Sequence, residues 1–233
     1  MSEFAHEKIY KNEADFYELL ISREDYQENL FGAIAEIVSP EGLRVVDSGT
    51  GTGRLARWLC QSAEKVLAFD RSPAMLTGAE DILSSSGCKN WTLCEAEHDA
   101  LPVADGWADL FITGWSLSYL IEQFPERWQE VVEDTLSSWE KKSRPAAFCI
   151  VIESLGTGYE EPQPPDKMLA AYYNFLEHKL GFSKKTIRTD YRFESCDEAA
   201  YILTRFFGNR FEKVNDTIIP ECTGIWWKRF KEM

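Results

Sequence analysis

Two rhythms of apolar residues alternate along the chain. Short β-branched or aromatic runs read as strands: Leu43–Val46, Lys65–Asp70, Trp91–Cys94, Leu110–Gly114 and Ala146–Ile152. Between them, apolar positions recur three and four residues apart, the spacing of one helix face. This predicts helices over Arg54–Ser62, Pro73–Ser85 and Pro125–Lys142. The last is the plainest, with Trp128, Val131, Val132, Thr135, Leu136 and Trp139 on one stripe. Pro73 suits a first helical turn, where its missing N–H costs nothing. Two more helices precede the first strand. Phe4–Ser22 carries Ile9, Phe16, Leu19 and Leu20 as its apolar positions. The other starts at Asp25, buries Leu30, Ile34, Ile37 and Val38, and ends before Pro40 and Gly42. Strands alternating with helices predict an α/β fold with a doubly wound, mostly parallel sheet and a ligand site at the strands' C-terminal ends.

After Glu153 the pattern changes. Glycines and prolines from Gly156 to Pro165 make a loop, followed by an aromatic-rich helix over about Asp166–Leu180. Thr186–Phe193 alternates as a strand does. Residues 154–194 are therefore expected to be a cap insertion after strand five that covers the site. A helix over Asp197–Phe207 and an antiparallel hairpin of Phe211–Ile219 and Thr223–Phe230 would finish the chain. The whole reads as a single domain, 1–233: N-terminal helices to 40, a core over 41–153, the cap over 154–194, and the C-terminal helix and hairpin over 195–233.

The chemistry concentrates where the first strand ends. Asp47-Ser48-Gly49-Thr50-Gly51-Thr52-Gly53 follows Val45-Val46. Alternate glycines allow positive φ and strip the turn of Cβ atoms, so a ligand can approach the backbone. The dinucleotide pattern is Gly-x-Gly-x-x-Gly, and the place of its third glycine is held by Arg54. Asp47, two residues before the first glycine, is unwelcome beside a pyrophosphate and suits a ligand carrying an ammonium group. The second strand ends in Asp70, followed by Arg71, and a carboxylate there is placed to accept from both ribose hydroxyls.

Together these residues resemble the class I S-adenosylmethionine-dependent methyltransferases, from about Gly42 to Ile152. The resemblance implies a seven-stranded, Rossmann-like sheet and S-adenosyl-L-methionine as cofactor. Asp47, Ser48, Gly49, Thr50, Gly51 and Gly53 match the family's first motif, and Asp70 with Arg71 its second. Glu97 and His98 stand where the family commonly has Asp-Ala, flanking the adenine. Gly114 and Trp115 fall beside the methionine half.

Composition narrows the partners. The chain has 233 residues, a net charge of −14 and 44% hydrophobic residues. Nucleic-acid binding relies on Lys and Arg neutralising phosphates, and no basic patch is evident beyond Lys184-Lys185 and Lys228-Arg229. A small-molecule substrate is expected, with no nucleic acid and no membrane, in a monomer or homodimer. Six cysteines lie scattered without Cys-x-x-Cys pairs and with three histidines, so no metal site is expected. The polar N-terminus and the lack of a long apolar run point to a cytoplasmic protein.

For the acceptor, the Asn/Asp-Pro-Pro-Tyr/Phe motif of many DNA and protein amide methyltransferases is missing after strand four. Tyr119 and, from the expected cap, Tyr159, Tyr172 and Tyr173 offer aromatic walls for a flat or cationic acceptor. His98, Glu153 and Tyr119 are the candidates for a general base, none of them favoured. In-line methyl transfer is the expected reaction. Two alternatives stand beside it: a non-catalytic S-adenosylmethionine-binding or partner subunit, and an NAD-dependent oxidoreductase.

Overall fold

The computed structural model describes residues 14–230. Its frame is one sheet. Five strands, β1 (Arg44–Ser48), β2 (Lys65–Asp70), β3 (Trp91–Glu95), β4 (Ala108–Gly114) and β5 (Ser143–Thr157), run parallel. β9 (Glu221–Arg229) lies antiparallel to β5, and β6 (Ser183–Arg188) antiparallel to β9. The order across the sheet is β3-β2-β1-β4-β5-β9-β6. The chain therefore winds outward from β1, returns to β4 beside it, and winds out the other way. In sheets of this order a ligand binds at the reversal, outside the C-terminal ends of the strands either side of it, here β1 and β4.

Helices cover both faces. On one, α2 (Asn29–Ile37) and α3 (Arg54–Leu59) bury Leu30, Ile34, Leu55 and Leu59 against Val45, Leu110, Ile150 and Ile225. Also on this side, α4 (Pro73–Ser85) adds Leu83 to the same cluster. On the other, α5 (Tyr119–Gln123), α6 (Trp128–Lys142) and α7 (Lys167–Asn174) cover Val46, Phe111, Val151 and Trp226. α6 keeps its expected stripe: Trp128, Val131, Val132, Thr135, Leu136 and Trp139 are all buried. Each such apolar side chain contributes roughly 1.5–3 kcal/mol by leaving water. Trp139 stacks on Phe111 at 5.2 Å and its indole N–H donates to the His98 carbonyl at 2.9 Å, tying the loop after β3 to this face.

A third apolar cluster lies beyond the strand ends. There α1 (Ala14–Ile21) brings Leu20 against α8 (Cys196–Phe207), which buries Ala199, Ile202, Leu203 and Phe206. Tyr191, Phe193 and Ile219 join it from a two-stranded ribbon of β7 (Tyr191–Arg192) and β8 (Ile218–Ile219).

Several boundaries differ from the sequence reading, for physical reasons. The first helix is described only from Ala14, so its expected start at Phe4 lies outside the described residues. The second begins at Asn29 rather than Asp25, because Asp25 (φ 57°) is a cap: its carboxylate accepts from the Asn29 and Leu30 amides, both at 2.9 Å. β5 runs on to Thr157, into the segment expected to be loop. The larger correction concerns the cap. The stretch expected to insert after strand five, 154–194, instead supplies the edge strand β6 of the main sheet, and Phe211–Ile219 contributes only β8 rather than a hairpin strand. The cover over the strand ends is built from 189–219, between β6 and β9, together with α1. Period-two alternation cannot show which partner a strand will take, and here β9 pairs with β5 and β6 rather than with Phe211–Ile219.

Replacing Asp25 by alanine removes both cap bonds. The Asp25→Ala protein is expected to lose roughly 1–2 kcal/mol of unfolding free energy, read as a lower urea midpoint at unchanged slope. An unchanged midpoint would refute the cap.

Candidate active site

β1 ends at Ser48 and the chain turns through Gly49 (φ +74°), Gly51 (+55°) and Gly53 (+90°) into α3. The turn is pinned to β2. The Gly49 and Thr50 amides both donate to the Phe69 carbonyl, at 2.8 and 2.7 Å. The Gly51 amide donates to Asp70 Oδ2 at 2.8 Å, while Asp70 Oδ1 accepts from the Ser72 amide at 2.9 Å. Asp70 thus stands half-buried at the mouth of the glycine turn. The structure also shows what needs the missing Cβ atoms. One at Gly49 would lie 1.9 Å from Ser116 Oγ and 2.5 Å from its Cβ.

Asp47 is fully buried beneath the turn. Its Oδ2 accepts from the Thr50 hydroxyl at 2.6 Å, and its Oδ1 has no hydrogen-bond partner among the described residues. Burial pushes this carboxyl up to about 7. His98 turns inward: Nδ1 meets Ser48 Oγ at 2.7 Å and Nε2 meets Ser116 Oγ at 3.0 Å. Burial lowers this imidazole to about 4. With both ring nitrogens engaged, His98 joins the turns after β1 and β4 and presents no ring nitrogen to an adenine edge. Its neighbour Glu97 is exposed, as is Arg71 beyond Asp70.

α1 and the chain after it reach over the same turn. Tyr17 comes within 3.5 Å of a Cβ placed on Gly51, and the Thr52 hydroxyl donates to Glu18 at 2.6 Å. Arg54 pairs with the nearly buried Glu24 at 2.6 Å, and its guanidinium lies 5.1 Å from the Trp115 ring centroid. Trp115 follows Gly114 at the end of β4 with φ 51°, a conformation costly for a bulky residue, and its amide is held by the Ile152 carbonyl at 2.7 Å. Such strain persists only where the surroundings over-determine it. Arg54 and Glu24 escaped the sequence reading as a pair; the signal was a charged residue at a position that the helix buries.

The expected aromatic residues separate. Tyr119 begins α5 beside the turn after β4. Tyr159 is exposed. Tyr172 is buried edge-on against Trp128 of α6. Tyr173 stacks on Trp226 at 4.5 Å and donates to the Ser154 carbonyl at 2.7 Å. Two buried acids accompany them. Glu153, one residue past Ile152, accepts from the Ser118 amide at 3.1 Å and hydroxyl at 3.0 Å. Glu221, which sequence reasoning passed over, accepts from the Ser154 hydroxyl. Burial raises each to about 8. Among the described residues no group of His, Cys, Asp and Glu could hold a metal ion, and no helix is long and apolar enough to cross a membrane.

These shifts have opposing signs in the stability of the fold. The acids keep protons in the folded state that the unfolded chain has already released, so their contribution falls as pH rises toward about 8. His98, held neutral down to about 4, costs stability only below its ordinary 6.5. Between about pH 6.5 and 8 Glu153 and Glu221 act, joined at the lower end by Asp47, and the thermal midpoint is expected to fall across that window. Glu153→Gln should make the fall shallower. A midpoint that rises over the same window would contradict the burial of these acids.

Comparison with known proteins agrees with this architecture. A family model described as a methyltransferase domain matches residues 45–137. No curated protein matches. Among solved structures, the chain is similar to an S-adenosylmethionine-dependent methyltransferase from Aquifex aeolicus (TM-score 0.60, 15% identity, covering 93% of this chain and 97% of that one). It is also similar to the YcgJ protein of Bacillus subtilis (TM-score 0.57, 12% identity, 87% and 98%) and to the cyclase SpnF (TM-score 0.58, 16% identity, 88% and 82%). At these identities the likeness carries the fold. The chain thus shares the fold of these proteins, and residues 45–137 match a methyltransferase domain.

Proposed function

We propose that this chain transfers a methyl group from S-adenosylmethionine to a small-molecule acceptor by in-line displacement. The observation that carries the reading is the placement of Asp70 at the mouth of the glycine turn, at the sheet's point of reversal. The residues fit the cofactor. A half-buried carboxylate is there for the ribose hydroxyls. Beneath the turn, Asp47 holds a carboxyl oxygen with no hydrogen-bond partner among the described residues, placed to accept from an ammonium group. Glu97 and Arg71 flank the adenine side, and Gly114 with Trp115 the methionine side.

When bound, the cofactor supplies a methyl group on a sulfonium, already a strong donor. The protein's part is alignment and exclusion of water. Ser48, His98 and Ser116 form one hydrogen-bonded wall that fixes the turn after β4 against the turn after β1. Tyr17, Glu18 and the Arg54–Glu24 pair cover it from α1 and the chain after it. The charge of −14 favours a neutral or cationic acceptor over a polyanion. The six thiols are all free, which suits a reducing compartment such as the cytoplasm.

Titration calorimetry with S-adenosylhomocysteine tests the reading. The intact chain is expected to bind it, and Asp70→Ala to weaken binding by roughly tenfold to a hundredfold, since bonds to a charged group contribute about 1.5–3 kcal/mol. Absence of binding, or unchanged binding by Asp70→Ala, would falsify the cofactor assignment.

A further inference from the structure

Two thiols meet at the C-terminal ends of α3 and α4. Cys60 caps α3, and Cys88 lies in the turn between α4 and β3. The Gln61 side-chain amide reaches both sulfurs from one nitrogen, Cys88 Sγ at 3.2 Å and Cys60 Sγ at 3.9 Å. Ser86 joins the same group: its hydroxyl lies 3.8 Å from Cys60 Sγ and accepts from the Cys88 amide at 3.2 Å. Both cysteines pack in one apolar cluster. The backbone beside each is held. Asn90 donates to the Cys60 carbonyl at 3.0 Å and to the Ala63 carbonyl at 2.7 Å. The Trp91 indole donates to the Cys88 carbonyl at 3.1 Å. Other thiols turn to backbone oxygens instead: Cys94 to Glu95, and Cys222 to Tyr159 and Glu160.

We propose that Cys60 and Cys88 are a modification site, closing to a reversible disulfide when a peroxide reaches Cys88. The two thiols differ in access. Cys60 is 4% exposed, while Cys88 is half-buried and meets an oxidant first. Burial, with the Cys88 thiol beside it, pushes Cys60 up to about 11, so Cys60 waits as a neutral thiol.

The chemistry balances with hydrogen peroxide as oxidant. The Cys88 sulfur, having shed its proton, attacks one peroxide oxygen. The O–O bond breaks, Cys88 becomes a sulfenic acid, and the other oxygen leaves as water with the shed proton. The Cys60 sulfur then attacks the Cys88 sulfur. The S–S bond forms as the S–O bond breaks, and the oxygen leaves as a second water with the Cys60 proton. Two thiols give up two electrons, and the peroxide takes them. Small thiols reverse the bond by exchange. Without Cys60 the sulfenic acid has no thiol to condense with and proceeds to the sulfinic acid, which is not recovered. The closed loop contains β2, Asp70 and α4, so the bond fastens this unit to the helix that leaves the glycine turn. Closing a loop restricts the unfolded chain and stabilises the fold.

The test is peptide mapping without reductant on the full chain, treated with hydrogen peroxide and then blocked with a maleimide. Tryptic cleavage at Lys65 and Arg71 separates the two cysteines, so a bond between them joins two peptides. The Cys60–Cys88 pair is expected as the main cross-link, removed by dithiothreitol. The oxidised chain should melt about 5–10 °C higher than the reduced one. Cys88→Ser, at a half-buried position, should lose both the cross-link and the rise. In Cys60→Ala, Cys88 should reach the sulfinic acid; if burial makes that variant fail to fold, Cys88→Ser still decides. Absence of a bond between the two, cross-links that join other cysteines as often, or a rise that survives Cys88→Ser would overturn the proposal.

Discussion

Two turns must occupy nearly one place. β1 and β4 are neighbours in the sheet, and the chain leaves both at the same end, so Gly49 and Ser116 meet where a single methyl group on Gly49 would collide. Glycine relieves the contact, and His98 then uses it: one imidazole bridges Ser48 of the first turn to Ser116 of the second. Everything at the strand ends is referred to this junction. Asp70 is aimed by the Gly51 amide, α3 starts in the direction that Gly53 allows, and Trp115 accepts a costly backbone angle because the turn it sits in is held from both sides. In a parallel sheet whose order reverses, the two chain segments either side of the reversal have to be fitted to each other before any ligand can be.

Electrostatics divides the same region into two kinds of acid. Glu24 is buried and paired, so its charge belongs to the scaffold; breaking that pair would leave a buried guanidinium as well as a buried carboxylate. Glu153 and Glu221 are buried without an ion-pair partner among the described residues, held by hydroxyl and amide donors alone. Buried ionisable groups with shifted affinities for protons gather at working sites. Their protonated forms at neutral pH reconcile their burial with a stable fold.

The glycine-turn half of the sheet is legible in the sequence, and the cover is not. Lys65–Asp70 and Pro73–Ser85 emerge with the very limits that the pattern of apolar residues sets, and Asp47, Gly49 and Asp70 stand together as their spacing requires. These features are local: a strand, a turn and the next strand, with periodicity and turn chemistry to mark them. His98 shows the limit, since its position predicts a place beside the adenine while its ring turns inward to Ser48 and Ser116. Glu221 and the Glu24–Arg54 pair left no local trace, because what makes them notable is the company brought to them by distant segments. Pairing partners of the last strands failed for the same reason: an alternating stretch states its two faces, never its neighbour.

The cover joins segments far apart along the chain. Leu20 packs with Ile202, Leu203 and Phe206, and Tyr17 stands near both Gly51 and Phe206. Contacts across so long a loop close last, because the intervening chain must be ordered before they reward the closure. During synthesis α1 is made long before α8, so its apolar side stays uncovered until Ile202, Leu203 and Phe206 have followed. The β1–β4 junction can form well before that. The molecule is thus built so that its ligand turn is assembled early and roofed late, and the exposed interval in between falls on the N-terminal helix.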